Sequence, residues 1–183
     1  MKYLLYSLRP KQWIKNFFVF LPLVFGGKLF SFPENLMTFS GFCVFSLTAS
    51  AMYLINDILD YEKDREHPVK RLRPIPSGKV TVKQALFLAI PLGVFSITIS
   101  FFLNISFGFV IITYVLFNLL YSKILKNAVI IDVFCIAFFF YLRIKAGSFL
   151  SNVELSPWIL IMSALLALFL GFNKRRQEIV VLQ

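Results

Sequence analysis

The chain has 183 residues, 58% of them hydrophobic, with 23 phenylalanines, one histidine, two cysteines and a net charge of +10. A mean hydropathy of +0.78 lies far outside the range of soluble domains, in which roughly half the residues are apolar, so a water-soluble globular domain is excluded. One histidine rules out a histidine-rich metal centre. Cys43 and Cys135 lie far apart inside apolar stretches and read as small buried residues, not as a disulfide or zinc ligands. The positive charge is divided among short loops, which argues against nucleic-acid binding.

In chain order, residues 1–13 mix aromatic and basic side chains without the apolar core and cleavage site of a signal peptide, and are expected to lie in the membrane interface. Apolar stretches long enough to cross a bilayer follow, a crossing needing about 17–25 residues: 14–29, 36–58, 82–103, 105–121, 129–150 and 157–172. Pro22 and Gly26-Gly27 interrupt the first, and Asn104 alone separates the third from the fourth, which predicts a tight hairpin. Lipid cannot satisfy free backbone groups, so these stretches must be helical. Lys and Arg cluster at 2–15, 63–83, 123–126 and 174–176, whereas the opposite loops hold only Lys28, near Glu34 and Glu154. That asymmetry predicts a cytoplasmic N-terminus and a cytoplasmic loop at 59–80.

Residues 56–65 read N-D-I-L-D-Y-E-K-D-R, and 57–66 hold more than half of the nine acidic residues. On a continuous helix Asp57, Asp60 and Asp64 stand at i, i+3 and i+7, with Asn56 in the same arc of roughly 100°. Stacked carboxylates need a positive partner, and oxygen ligands suit Mg²⁺, which completes its shell with substrate phosphates. Glu62 points elsewhere and is read as solvated. The alternative is a charged, wet helix end. The loop that follows carries Pro68, Pro74 and Pro76 with Lys70, Arg71, Arg73 and Lys79. Its prolines brace it, and Arg71 and Arg73 can each present a planar fork to phosphate. An ordinary positive-inside loop touching anionic lipid is the competing reading. Ser77-Gly78-Lys79 lacks the remaining residues of a phosphate loop. Farther on, Asp132 and Arg143 are about three turns apart on one face of a span. Charge at that depth calls for a polar partner, so Arg143 is a candidate for holding an anionic group. Asp132 is either a helix-start partner of Lys126 or catalytic, and Lys145 points to the opposite side.

Asn56-Asp57-x-x-Asp60-x-x-x-Asp64 after an apolar span resembles the first aspartate motif of the UbiA superfamily of intramembrane prenyltransferases. Several further stretches are similar to its decaprenyl-phosphate phosphoribosyltransferase branch. They are Arg9-Pro10-x-Gln12-Trp13-x-Lys15-Asn16, His67-Pro68-x-Lys70-Arg71-x-Arg73-Pro74, Leu120-Tyr121-Ser122 with Leu125-Lys126, Asp132-Val133, and Arg143 with Ala146-Gly147. The superfamily's second motif, D-x-x-x-D, is replaced by Lys174-Arg175-Arg176-Gln177-Glu178, as in that branch.

The resemblance implies an all-α, polytopic integral membrane helical bundle forming a single transmembrane domain over 1–183. About six of an expected nine spans are present, and the C-terminal third of the fold is expected to be missing. It implies a bacterial inner-membrane enzyme of cell-envelope biosynthesis that transfers 5-phosphoribosyl from phosphoribosyl pyrophosphate to a polyprenyl phosphate. Asp57, Asp60 and Asp64 would bind Mg²⁺ and Asn56 the substrate, with Arg71 and Arg73 on the leaving group. Lys174 and Arg175 would hold the 5-phosphate, and Lys15, Asn16, Tyr121, Lys126 and Arg143 would complete the substrate sites. The alternatives are a prenyltransferase acting on an aromatic or other small acceptor, and a non-catalytic membrane subunit or relic. A homo-oligomer or a complementing chain is an accompanying expectation.

Overall fold

The structure is a computed structural model that describes residues 2–182, apart from the side chains of Asn127, Val129, Lys174, Arg175 and 178–182. Among the described residues it is helical throughout, without strands. Helix α1 (Lys2–Ser7) leads into a 3₁₀ run (Pro10–Phe20) and the short α2 (Leu21–Phe25). Next come α3 (Phe32–Leu59), α4 (Tyr61–Glu66) and a 3₁₀ turn (Lys70–Leu72). Helices α5 (Val82–Leu103) and α6 (Ile105–Lys123) follow, then a second 3₁₀ turn (Leu125–Asn127), α7 (Val129–Ser151) and α8 (Pro157–Leu182). Four helices, α3, α5, α6 and α7, are long and apolar enough to cross a membrane, and a shorter apolar stretch, Pro157–Asn173, lies in α8. The chain is an integral membrane protein.

The expected first span at 14–29 is not one α-helix. Arg9 adopts a left-handed conformation (φ 52°, ψ 56°), Pro10 opens an 11-residue 3₁₀ run, and Pro22 stands at the start of α2. Gly26 and Gly27 then end it, Gly27 with φ 70°. This broken segment packs in the angle between α3 and α7, burying Asn16, Val19 and Leu23. Gly147 on α7 makes the approach possible, because a Cβ there would run into the Val19 carbonyl oxygen. Hydrogen bonds stitch the segment and the residues before it to α3: Asn16 Nδ2 donates to Ser46 Oγ (3.0 Å), and Trp13 Nε1 donates to Ser50 Oγ (2.9 Å), which donates to the Leu8 carbonyl (2.8 Å).

Helix α3 is the centre of the bundle, packed against α5, α6, α7 and the 3₁₀ run. Its 28 residues amount to about 42 Å at 1.5 Å per residue, against an apolar slab of about 30 Å. It is thus long enough for the end that carries the aspartates to reach past the slab. The main core brings Phe45 and Met52 of α3 against Phe107, Ile111 and Tyr114 of α6 and Leu142 and Ala146 of α7. The predicted hairpin is present. Asn104 is extended (φ −163°, ψ 132°) and its side chain caps α6 by accepting from the Phe107 N–H (3.0 Å). At the other end of α5, Thr81 and Gln84 form a reciprocal capping box.

A second, smaller core fixes the basic loop. Ile75 and Val80 are buried with Leu54, Ala85 and Ala89, and Leu4 and Leu8 pack on the same cluster. Pro74 and Pro76 are buried on either side of Ile75. The loop is thus nailed down one residue past Arg73. Both cysteines are free, but only Cys135 is buried. Cys43 is exposed on α3, a correction to the expectation of two buried thiols, since a small apolar side chain serves a lipid-facing position equally well.

Candidate functional site

The aspartate motif does not lie along one uninterrupted helix. Helix α3 ends at Leu59, and Asp60 takes φ −96°, ψ 8° as the joint at which α4 begins. The hydrogen-bond ladder is carried through the joint, from Asp60 N to the Asn56 carbonyl (3.0 Å) and from Asp64 N to the Asp60 carbonyl (2.8 Å). The break is thus a bend. It leaves Asp57 and Asp64 on a shared partner and turns Asp60 to another.

Asp57 and Asp64 turn inward and are almost wholly buried, at 2% and 3% exposure. Both accept from one atom: Arg73 Nη1 donates to Asp57 Oδ1 (3.2 Å) and to Asp64 Oδ2 (2.6 Å). Asp57 Oδ1 also accepts from Arg9 Nη2, whose guanidinium lies over the Tyr53 ring, 5.3 Å from its centroid. Asp60, more open, accepts from Lys126 Nζ. Asn56 is pinned at both ends, its Nδ2 donating to Asn118 Oδ1 (2.9 Å) and its Oδ1 accepting from Ser122 Oγ (2.6 Å). Beside it, the Tyr121 hydroxyl donates to Asp132 Oδ1 (2.6 Å). Burying carboxylates is tolerable only when they are paired, and here Arg9 at the head of the first 3₁₀ run, Arg73 of the basic loop, Tyr121 of α6 and Lys126 of the second 3₁₀ turn meet the acids of α3, α4 and α7 to pair them.

The structure thus gathers Asn56, Asp57, Asp60, Asp64, Arg73, Tyr121, Lys126 and Asp132 around the cytoplasm-predicted end of α3. Other candidates lie elsewhere. Arg71 is exposed and forms no ion pair among the described residues. Lys15 is exposed on the 3₁₀ run, and Glu62 is exposed, as expected. Asn16 and Arg143 meet in the bundle interior, where Arg143 Nε donates to Asn16 Oδ1 (2.8 Å). Lys145 lies over the Phe149 ring at 4.6 Å. The side chains of Lys174 and Arg175 fall outside the described residues. His67 serves the turn, its Nδ1 accepting from the N–H groups of Val69 (3.2 Å) and Lys70 (3.3 Å).

Sequence reasoning overlooked Arg9, Asn118 and Ser122 as parts of this site. Each left a signal: an arginine held before proline where the chain meets the membrane, and polar residues inside a span, where an unpartnered polar group is costly.

Whether a metal fits can be judged from the donors. Among the described residues, no three His, Cys, Asp or Glu side chains stand close enough to enclose a metal ion by themselves. Mg²⁺ does not require that, since one or two carboxylates suffice when phosphate and water supply the rest. Asp57 and Asp64 offer only oxygen and already converge on one cationic nitrogen, so a hard cation is matched by this pair.

Helical architecture, apolar spans and a buried acid–base cluster at one end of the central helix together define an integral membrane protein with its charge gathered at that end. The chain belongs to the UbiA prenyltransferase family, whose model matches residues 16–173. It is 37% identical to the decaprenyl-phosphate phosphoribosyltransferase of Mycobacterium tuberculosis, with 94% of this chain and 59% of that protein covered. With the protein of the same name from Corynebacterium glutamicum it shares 38% identity over 96% of this chain and 54% of the relative. Its fold is similar to that of a UbiA homolog from Archaeoglobus fulgidus bound to DMAPP and Mg²⁺, with a TM-score of 0.72 at 23% identity, covering 92% of this chain and 60% of that one. The chain spans somewhat more than half the length of the curated relatives it matches.

Proposed function

We propose that residues 1–183 act as a single transmembrane domain carrying the diphosphate end of a phosphoribosyl transferase site. The reaction moves 5-phosphoribosyl from phosphoribosyl pyrophosphate to a polyprenyl phosphate. The observation that supports it best is the joint position of Asp57, Asp64 and Arg73, two buried acids and a forked cation in one cluster, in a chain related over nearly its whole length to proteins named for that transfer.

In this reading 59–80 is a cytoplasmic site loop. Asp57 and Asp64 would hold Mg²⁺, with Asp60 beside them, and the ion would supply positive charge that offsets the diphosphate. Arg73 and Arg9, already directed at the acids, turn their remaining N–H groups to the same diphosphate. Arg71, exposed at the rim, draws in the anionic donor. Lys174 and Arg175 hold the 5-phosphate, and Asn56 offers the donor its second amide N–H. Tyr121 and Lys126 orient the lipid phosphate, with Lys15 at the same surface. An oxygen of the lipid phosphate attacks the anomeric carbon, forming the new C–O bond. The bond to pyrophosphate breaks, and the leaving group departs with the electron pair. The attacking oxygen is already anionic, so no general base is required. Acceleration comes from positioning and from charge placed where it accumulates on the leaving group.

Membranes containing the protein, supplied with polyprenyl phosphate, Mg²⁺ and labelled phosphoribosyl pyrophosphate, should form a labelled lipid. Absence of that lipid together with prenylation of an aromatic acid from a prenyl diphosphate would overturn the donor assignment.

A further inference from the structure

The C-terminal end of α6 reaches the head of the aspartate motif with two side chains. Asn118 and Ser122 stand at i and i+4 on one face of that helix, and both are buried, at 6% and 5% exposure. Between them lies the amide of Asn56, half-buried and one residue before Asp57. Asn56 Nδ2 donates to Asn118 Oδ1 at 2.9 Å, and Ser122 Oγ donates to Asn56 Oδ1 at 2.6 Å. Tyr121, on the same turn, serves α7 instead, its hydroxyl donating to Asp132. The backbone of Asn56 also opens the bend, its carbonyl accepting from Asp60 N at 3.0 Å. The side chain that α6 grips thus belongs to the residue from which the Asp60 joint hangs.

An asparagine amide has two N–H groups and one oxygen, and a half-turn exchanges them with little change of shape. Here the two neighbours differ. Asn118 presents an oxygen and Ser122 an O–H, so the Asn56 nitrogen is held toward one and its oxygen toward the other. A half-turn of Asn56 alone would set its oxygen against Asn118 Oδ1, two acceptors in contact. With the orientation held, one N–H goes to Asn118, and the second has no partner among the described residues. It is carried by the residue next to Asp57, which Arg9 and Arg73 already address. Two guanidinium groups and an amide N–H at one corner are all donors, and what such a corner accepts is an anionic oxygen.

We propose that Asn118 and Ser122 are positioning residues for Asn56, holding its amide in the orientation that keeps one N–H for an anionic oxygen of the phosphoribosyl donor. Among the described residues neither is hydrogen-bonded to an acid of the site; both act through Asn56. Their burial is what gives them hold. Water that would compete for both hydrogen bonds is kept from Asn118 and Ser122, and a hydrogen bond in such surroundings is stronger than one at a wet surface. The identity of the ligand rests on the function proposed above, whereas the hold on Asn56 does not.

Ser122→Val and Ser122→Thr form the discriminating pair, since they share a shape and differ by one hydroxyl. With the protein in nanodiscs, binding of Mg²⁺-pyrophosphate should weaken about tenfold in Ser122→Val and in Asn118→Leu, the size expected when a buried hydrogen bond is lost. Ser122→Thr, which restores the hydroxyl, should bind within about twofold of the unaltered protein. On an Asn56→Ala background Ser122→Val should cost nothing further, as coupled positions behave. Backbone amide exchange over residues 56–64 should be about fivefold faster in Ser122→Val than in Ser122→Thr, through local opening rather than global unfolding. Equal exchange in the two Ser122 variants overturns the hold on Asn56. Equal binding by the two, or a full further loss on the Asn56→Ala background, overturns its action on ligand through Asn56. No binding by the unaltered protein, with the exchange difference intact, would instead defeat the function proposed above and leave the hold on Asn56 standing. Where Asn118→Leu fails to fold, the Ser122 pair carries the test.

Discussion

The aspartate end of α3 and the Arg143 cage handle buried charge in opposite ways. At the aspartate end, the acids Asp57, Asp60 and Asp64 meet Arg9, Arg73 and Lys126 as ion pairs. The side chains of Arg9, Arg73 and Lys126 keep 21–32% of their surface exposed, so water and ions can reach the cations. Around Arg143 no acid stands among the described residues; ring faces and two oxygens hold a cation that water does not reach. A paired, half-open cluster can present part of each cation to solvent. The closed cage cannot, since removing any wall leaves a charge in lipid at about 2.5–3.5 kcal/mol or more. The difference separates a charge cluster open to solvent on its cationic side from a cation enclosed within the bundle.

The comparison can be broken most severely at Asp57, which both Arg9 and Arg73 address. Asp57→Asn should lower transfer to the labelled lipid by about 10²–10³-fold, the size of effect seen when a charge-stabilising group is removed, with insertion and thermal midpoint little changed. Arg73→Ala should resemble it, because one nitrogen serves both acids. A loss of less than about fivefold in both variants would make the cluster a structural device like the cage and erase the contrast.

A smaller effect is expected on the structural side. Gly147→Ala places a Cβ against the Val19 carbonyl oxygen, so the 3₁₀ run must shift away from α7 and take Asn16 with it. Overpacking of this kind costs about 1–3 kcal/mol and should appear as a lower thermal midpoint. Unaltered stability would mean that the 3₁₀ run is not held where Arg143 needs it.

The smallest effect is expected at Arg71, exposed next to the paired Arg73. Arg71→Ala should raise KM for the donor about two- to threefold at low salt, leave kcat nearly untouched, and lose its effect as salt screens steering. A change in kcat as large as that of Arg73→Ala would place Arg71 on the leaving group.

Much was legible in the sequence. Hydropathy located α3, α5, α6 and α7 because lipid leaves the backbone no alternative to helix, and Asn104 marked the hairpin because a polar cap must sit where two apolar helices meet. The aspartates and Arg73 stood out because carboxylates are scarce in this chain and crowd into one stretch.

What the sequence could not decide was partnership. Spacing placed Asp57, Asp60 and Asp64 on one face, but the joint at Asp60 sent two of them to Arg73 and the third to Lys126. Which cation reaches which acid depends on how loop and helices pack, and periodicity carries no information about that. Arg143 was visible as a costly charge, and its distance from Asp132 suggested a shared face. In the fold Asp132 faces Tyr121 while Arg143 faces Asn16 and three rings. Local sequence determined where charge had to be buried. Only the tertiary structure decided what surrounds each charge, because ring faces and amide oxygens from distant segments converge on it only after the helices have packed.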